Sequence, residues 1–531
     1  MTVSQNNVIE LAFESKSLYT DAFNEVALCA DFTAPDGAKL TVPAFWAGGN
    51  TWKIRYSSDR RGAHTYLTKS SDSSLDSMSG EINVVKYEGC NILYKNGAIG
   101  RKDGGLYLTH KDGTPFYWLA DTWWMGFTTR LPWADGFAKL TRDRVEKGFN
   151  VVQIIAGLYP DMEPFDERGK NEAGFPWDPE FKSINPAYFD AADKKIAYLI
   201  ENDITPCVVG CWGFFMKVAG LENIKRHWQN LIARWAAFPV AWCIAGEANM
   251  TFYDDKSTPF DEHIKNSRRD WNEITEFVRS NDPFRRLVTI HPTSNGHEQI
   301  DDETLLDLDM LQTGHSGFMS LAPSMKQIKK AVDRKKLPVI NSEACYEGIC
   351  NSSYADVQRY MYWSNFMLGT CGHTYGANGI WQLNTKEKPY GKSPHGAQWG
   401  DMAWDDAMAL PGSFQIGAAK KFVTKFEWWR FEAHPEWIEN PCSYNGVDGS
   451  FCVGIPGEVR IIFRPFLGGS FWGEDKIYGI EKDVVYRACY FNPVTGEETD
   501  LGIVTPDTNG TWTTPRVNAF QDWVVALVKM V

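Results

Sequence analysis

The sequence predicts an α/β fold: a central (β/α)8 barrel flanked by an N-terminal β-sandwich and a C-terminal antiparallel β-domain. Three observations lead there. Between about residue 104 and residue 437, short apolar runs alternate with amphipathic stretches eight times, the order that closes a parallel barrel. On either side the pattern is short strands punctuated by Gly, Pro and Asn. At 531 residues the chain is also too long for one compact domain. The expected bounds are 1–90 for the sandwich, 91–437 for the barrel and 438–531 for the last domain.

In the first segment, residues 22–32, 40–45 and 51–56 read as strands separated by Pro-Asp-Gly and Gly-Gly-Asn turns. The Ser/Asp-rich stretch 70–79 reads as an exposed loop. The barrel strands are expected at 115–124, 150–157, 205–212, 240–247, 286–291, 310–315, 337–343 and 372–381. Helices are expected at 137–147, 188–202, 221–238, 271–280, 325–335 and 356–368. The loop 158–185, rich in Pro, Gly and Asp, is long enough to suggest a functional role. Strands return at 449–454, 458–463, 484–491 and 522–528, with a hairpin-like turn signal in 491–497.

Composition narrows the function classes. There are 54 Lys and Arg against 67 Asp and Glu, a net charge of −13, so nucleic acid is not an expected partner. No run of 18 apolar residues occurs, so no membrane span is expected. The first eight residues have neither a basic start nor an apolar core, so no signal peptide is visible, and the protein reads as either cytoplasmic or stripped of a leader, the cysteines favouring the first. The 11 cysteines are odd in number, and Cys207, Cys211 and Cys243 sit in apolar runs, which favours buried reduced thiols over disulfides. No paired CxxC points to zinc, and no cofactor is expected. The 22 Trp residues mostly fill cores, but Trp also offers an apolar face and a polar edge to a sugar. Oligomeric state stays open, a homo-oligomer included.

Glu247 and Glu343 carry the chemical reading. Each lies where an apolar run stops and a polar loop begins, and their separation fits strands four and seven. Chemistry in such barrels sits at the C-terminal ends of the strands. Charged residues at strand exits are common, but two glutamates across one barrel mouth point to glycoside hydrolysis. A carbohydrate is therefore the expected partner. Glu247 is assigned as general acid/base and Glu343 as nucleophile. Glu347, four residues on, reads as a loop or substrate-binding residue. Asp121, Trp123, Trp124, Tyr159, Trp212, Asn249, His291, His315 and Trp381 are expected to build the pocket. Asp121 would accept sugar hydroxyls, His315 would orient Glu343, and Trp381 would floor the sugar ring. No Gly-rich phosphate loop, HExxH or GxSxG motif competes. The acidic stretch 401–406 reads as a solvated loop rather than a metal site.

Residues 105–124 (GLYLTHKDGTPFYWLADTWW) and 147–153 (KGFNVVQ), with Gly246-Glu-Ala-Asn249, Asn341-Ser-Glu343 and Gly379-Ile-Trp381, resemble the apiosidase-like family of bacterial glycoside hydrolases. That family lies in the large clan of retaining (β/α)8 glycosidases. The resemblance implies an exo-acting enzyme that removes a terminal sugar, apiose or another furanose, from a glycan. It matches Glu247 to the clan's acid/base and Glu343 to its nucleophile. One position departs. The clan usually carries Asn immediately before the acid/base, where it binds the 2-hydroxyl, and here that residue is Gly246. Either Asn249 or another strand end takes the role, or the sugar is held differently. The alternatives are a non-catalytic carbohydrate-binding barrel, or a transglycosylase or lyase using the same carboxylates.

Overall fold

The computed structural model of the chain describes residues 1–250, 258–466, 474–517 and 519–530. Eight parallel strands make its central sheet: β1 (Trp118–Thr122), β2 (Val151–Ile155), β3 (Thr205–Val209), β4 (Ala241–Cys243), β5 (Val288–Thr289), β6 (Asp309–Gln312), β7 (Val339–Glu343) and β8 (Gly372–Tyr375). They pair in order from β1 to β5 and from β6 to β8, and β8 pairs back with β1. All five residues of β2 are buried, as expected of a parallel strand covered on both faces.

The barrel closes between β5 and β6 without ladder pairs among the described residues. There the Asp307 N–H donates to the Val288 carbonyl at 2.9 Å, and Thr289 Oγ1 donates to the Leu308 carbonyl at 2.8 Å. This seam also breaks the expected alternation. Between β5 and β6 the chain makes two 3₁₀ turns, Gly296–Glu298 and Glu303–Leu305. The other crossovers carry α1 (Asp135–Lys147), α2 (Pro186–Glu201), α3 (Leu221–Trp235), α4 (Phe260–Asn281), α5 (Leu321–Asp333) and α6 (Ala355–Met367), and α7 (Pro411–Val423) follows β8.

α3 follows from its apolar stripe. In α3, Ile224, Trp228, Leu231 and Trp235 recur every three or four residues and are buried. Gly148, left-handed at φ 94°, ends α1. α4 begins well before the predicted residue 271. Its buried residues, Trp271, Ile274, Thr275 and Val278, all lie in the second half, so only that half has a periodic apolar signal. No described helix is long and apolar enough to cross a membrane.

The N-terminal strands form a five-stranded and a three-stranded sheet around a shared core that includes Phe13, Phe32, Trp52 and Ile54. The 70–79 stretch is not simply exposed: Leu75 is buried, and buried Asp72 accepts from Tyr19 at 2.8 Å and from the Ser74 N–H at 2.7 Å. Arg55 ties this unit to the barrel, donating to the Arg234 carbonyl at 2.8 Å and pairing with Asp193 on α2. At the other end, six strands form a sheet in the order Glu432–Ala433, Phe451–Ile455, Val459–Arg464, Trp523–Lys529, Tyr486–Phe491, Glu498–Ile503. The last strand is mostly exposed and carries no apolar alternation, so the sequence did not reveal it. Phe463 of this sheet stacks on Trp363 of α6 at 5.7 Å.

Candidate active site

Two local irregularities aim the glutamates. Past β4 the chain stays extended to Gly246, which bridges to Trp212, and Glu247 then adopts a left-handed backbone at φ 42°. A non-glycine residue there stores on the order of 1 kcal/mol or more of strain, and such residues cluster at active sites. The loop that holds it is pinned from α4: Trp271 Nε1 donates to the Ala248 carbonyl at 2.8 Å and Ser267 Oγ at 3.0 Å.

On β7, Val339 packs with Ile328 and Ala331 of α5, and Asn341 lies beside Asn365 of α6. Strict alternation would send Glu343 to the same helix-facing side. The β6–β7 register shifts instead: Leu311 pairs with Asn341, but Gln312 pairs with Glu343. The extra residue on β7 is a bulge that turns Glu343, with Gln312, toward the barrel mouth.

There Gln312 Nε2 donates to Glu247 Oε1 at 3.0 Å and to Glu343 Oε1 at 3.2 Å. Trp212 Nε1 donates to Glu247 Oε2 at 3.2 Å, and His315 Nε2 meets Glu343 Oε1 at 2.8 Å. His291 Nε2 lies 3.1 Å from Glu343 Oε2, close enough for charge pairing but off the line of an N–H···O bond. These neighbours separate the two carboxyls electrostatically. Burial, and then the Glu343 charge, push Glu247 up to about 8. Burial also works against ionised Glu343, but His291 and His315 outweigh it and hold that carboxyl down to about 2. Burial opposes a charged His315 as well; Cys345 and Glu343 overcome it and raise the ring to about 10. One carboxyl is thus protonated and the other ionised at neutral pH, the division of labour that acid and nucleophile require.

A cavity of about 280 Å³ opens over the pair. Its described walls include Trp124, Trp212, His315 and Trp381 from the predicted set. Trp381 packs against Tyr346 at 6.1 Å with near-parallel rings, and Trp124 meets Trp212 edge-on at 5.5 Å. Two roomier hollows, about 750 and 910 Å³, run along the N-terminal sandwich and contain neither glutamate. Among the described residues no group of three or more His, Cys, Asp or Glu side chains could hold a metal ion.

The remaining predicted residues do not line the cavity. Asp121 is fully buried and spent on its own support: it pairs with Arg144 at 2.6 Å and accepts from Trp123 Nε1 at 2.8 Å. Trp123, on the opposite side of the chain from Trp124, packs on Phe137 of α1 at 5.5 Å. Tyr159 shares a 2.6 Å hydrogen bond with Tyr188 in the core. Asn249 anchors its loop, its N–H donating to Gln299 Oε1 at 3.2 Å and its Oδ1 accepting from Ser267 at 2.6 Å. Glu347 accepts from the Gly412 N–H at the start of α7 at 3.1 Å and from Tyr375 at 2.5 Å, so it caps a helix. His291 backs Glu343 and meets Trp124 edge-on at 5.3 Å.

Seven wall residues are not among those the sequence predicts: Pro160, Asp161, Met250, Gln312, Tyr346, Ile349 and Trp399. Asp161 sits in the long loop after β2, whose length was the available signal. Gln312 and Tyr346 lie inside the strand-six and strand-seven exits, overshadowed by His315 and Glu343. Trp399 has no neighbouring signal at all.

The absence of a side chain at Gly246 has a steric cause. A Cβ there would lie 2.1 Å from the Trp212 ring. The indole that donates to Glu247 therefore fills the space a side chain before Glu247 would need.

Comparison with known proteins agrees with this architecture. An apiosidase-like catalytic-domain family model matches residues 102–430, more than half the chain, and a domain of unknown function, DUF5060, matches residues 2–71. Among solved structures, a candidate glycoside hydrolase from Bacteroides vulgatus ATCC 8482 superposes with a TM-score of 0.71 at 17% identity, spanning 100% of both chains. A family 5 glycoside hydrolase from the same organism gives 0.66 at 21% identity, covering 82% of this chain and 93% of its own. Another glycoside hydrolase gives 0.66 at 20%, covering 82% and 97%. At these identities the likeness is one of fold. Curated proteins return no match. The paired carboxylates at the mouth of the matched barrel, with the family match over it, make this chain a glycosidase that belongs to the apiosidase-like family.

Proposed function

We propose that the enzyme is a retaining, exo-acting glycosidase that releases a terminal sugar, apiose or another furanose, from a glycan or glycoside. The observation that carries this is the shared amide: one nitrogen, Gln312 Nε2, reaches both carboxylates. Their bonded oxygens cannot be farther apart than 3.0 and 3.2 Å laid end to end. A single donor shared in this way supports the close carboxyl spacing of retaining enzymes, roughly 5–5.5 Å, over the roughly 6.5–9.5 Å that admits a water in inverting ones.

In the first step protonated Glu247 donates to the leaving glycosidic oxygen while Glu343 attacks the anomeric carbon and forms a glycosyl ester. Glu247, now a carboxylate, takes a proton from water, which attacks the same carbon and releases Glu343. The cavity supports exo action: at about 280 Å³ it lies at the low end of small-molecule sites, sized for one sugar. Its aromatic walls support an apolar sugar face.

The test is hydrolysis of p-nitrophenyl furanosides and pyranosides in both anomers by wild type, Glu247→Gln and Glu343→Gln, with the first-released anomer read by NMR. Release with retention, lost in both variants, supports the proposal. Release with inversion, or activity surviving in Glu343→Gln, removes it.

A further inference from the structure

Gln312 is mounted rigidly for a residue at a strand exit. Its N–H donates to the Ser294 carbonyl at 3.0 Å, and its carbonyl accepts from Gln327 Nε2 at 3.1 Å. The bulge that turns Glu343 inward also pairs it with Gln312. The amide orientation follows from its surroundings: two carboxylate oxygens are acceptors, so the nitrogen faces them. The amide oxygen is buried with no protein partner. Leaving a buried acceptor unpaired is unfavourable, and such groups in native structures call for an explanation.

The reaction supplies one. Before glycosylation the negative charge of the pair resides on Glu343. After it, Glu343 is an ester and the charge resides on Glu247. Gln312 Nε2 is within hydrogen-bond reach of the oxygen that loses charge and of the oxygen that gains it. We infer that Gln312 is the positioning residue of this site, a fixed donor that serves whichever glutamate carries the charge, so the charge passes between them without side-chain rearrangement. The benefit is electrostatic preorganisation, a dipole already aimed at where charge develops. Gly246 leaves no room for a comparable amide on the strand-four side, because Trp212 fills that space. The role rests on the retaining mechanism proposed above.

The groups that face Glu247 are Glu343, Asp161, His315 and Tyr346, and His291 stands behind Glu343. Gln312 and Trp212 both donate to Glu247 as neutral groups, and the Gln312 bond favours its ionised form. Without it, Glu247 should hold its proton to higher pH.

The experiment uses Gln312→Met, which keeps the side-chain length and removes the amide, and Gln312→Asn, which withdraws the amide by one methylene. The protonated-carboxyl infrared band of Glu247, assigned by its loss in Glu247→Gln, is titrated in each full-length protein. The expected result is a midpoint raised by about one pH unit in Gln312→Met and by less in Gln312→Asn. With a glycoside that wild type hydrolyses, kcat should fall roughly tenfold to a hundredfold at unchanged KM, because the donor acts on the carboxylates and not on bound substrate. A midpoint that stays at the wild-type value in a folded variant overturns the inference. This readout needs no substrate, so failure of wild type to hydrolyse any glycoside would count against the proposed reaction and leave the titration to judge Gln312.

Discussion

Replacing Glu247 by Gln should make the protein more stable in alkali while removing its proposed proton donor. The folded state holds this proton up to about pH 8, whereas an unfolded glutamate releases it near 4.5. Between those values the native state binds more protons than the unfolded state, so stability falls as pH rises through the window. At about 1.4 kcal/mol per pH unit the full displacement is worth on the order of 5 kcal/mol. Glu247 keeps part of its surface open to the cavity, and water there screens the charge, so about 2–3 kcal/mol is expected. Glutamine cannot ionise, so the variant lacks this slope. It places an N–H2 group opposite the Trp212 or Gln312 donor, which costs about 1 kcal/mol at every pH. The variant should therefore be slightly less stable than wild type at pH 4.5 and more stable at pH 9. His315 titrates in both proteins and largely cancels in the difference. Urea denaturation followed by tryptophan fluorescence at pH 4.5, 7 and 9 measures it. Parallel stability–pH curves for the two proteins would refute a raised Glu247.

Other substitutions separate chemistry from support. Glu343→Gln should abolish turnover with the fold intact by circular dichroism, and the His315 ring, no longer paired with a carboxylate, should titrate well below 10 by NMR. Gly246→Ala drives a methyl group into the Trp212 ring; overpacking of about 1–3 kcal/mol should appear in denaturation, and the lost indole donor should lower kcat about tenfold or more. Asp121→Asn takes a carboxylate partner from buried Arg144, which stays paired with Asp143, and should destabilise the protein by about 1.5–3 kcal/mol, while KM stays near wild type because Asp121 does not line the cavity. Glu347→Ala removes the acceptor at the start of α7, which should show as faster hydrogen exchange at Gly412 while detectable turnover persists.

The sequence located the strand ends well and the side-chain directions poorly. Apolar runs such as Val-Val-Gln-Ile-Ile mark a buried parallel strand wherever they occur, so the barrel and both glutamates were legible. Direction depends on alternation, and alternation depends on counting residues through turns and bulges. Trp123 and Trp124 are adjacent and chemically identical, yet one fills the core and the other lines the cavity. Asp121 looked available because nothing nearby in sequence announces Arg144, 23 residues on, as its partner. No helix is expected between the fifth and sixth strands, and two 3₁₀ turns without a sequence signature of their own join them. Gln312 went unread because a glutamine at a strand exit has no spacing signature; its meaning comes from the two acids it touches.

The bulge on β7 makes the proposed nucleophile a matter of register as well as identity. Were the β6–β7 ladder to run in regular register with Ser342 retained, Ser342 would stand opposite Gln312 and the Glu343 carboxylate would swing toward the layer of α5 and α6, with every strand still in place. A folded barrel with both glutamates in its sequence would then have only one at its mouth. Loss of Ser342 alone would seat Glu343 opposite Gln312 without a bulge and still facing the mouth, so for anyone surveying relatives or building libraries on this scaffold the telling sign of a silent enzyme is a seventh strand of unchanged length that has lost its bulge, not a one-residue gap.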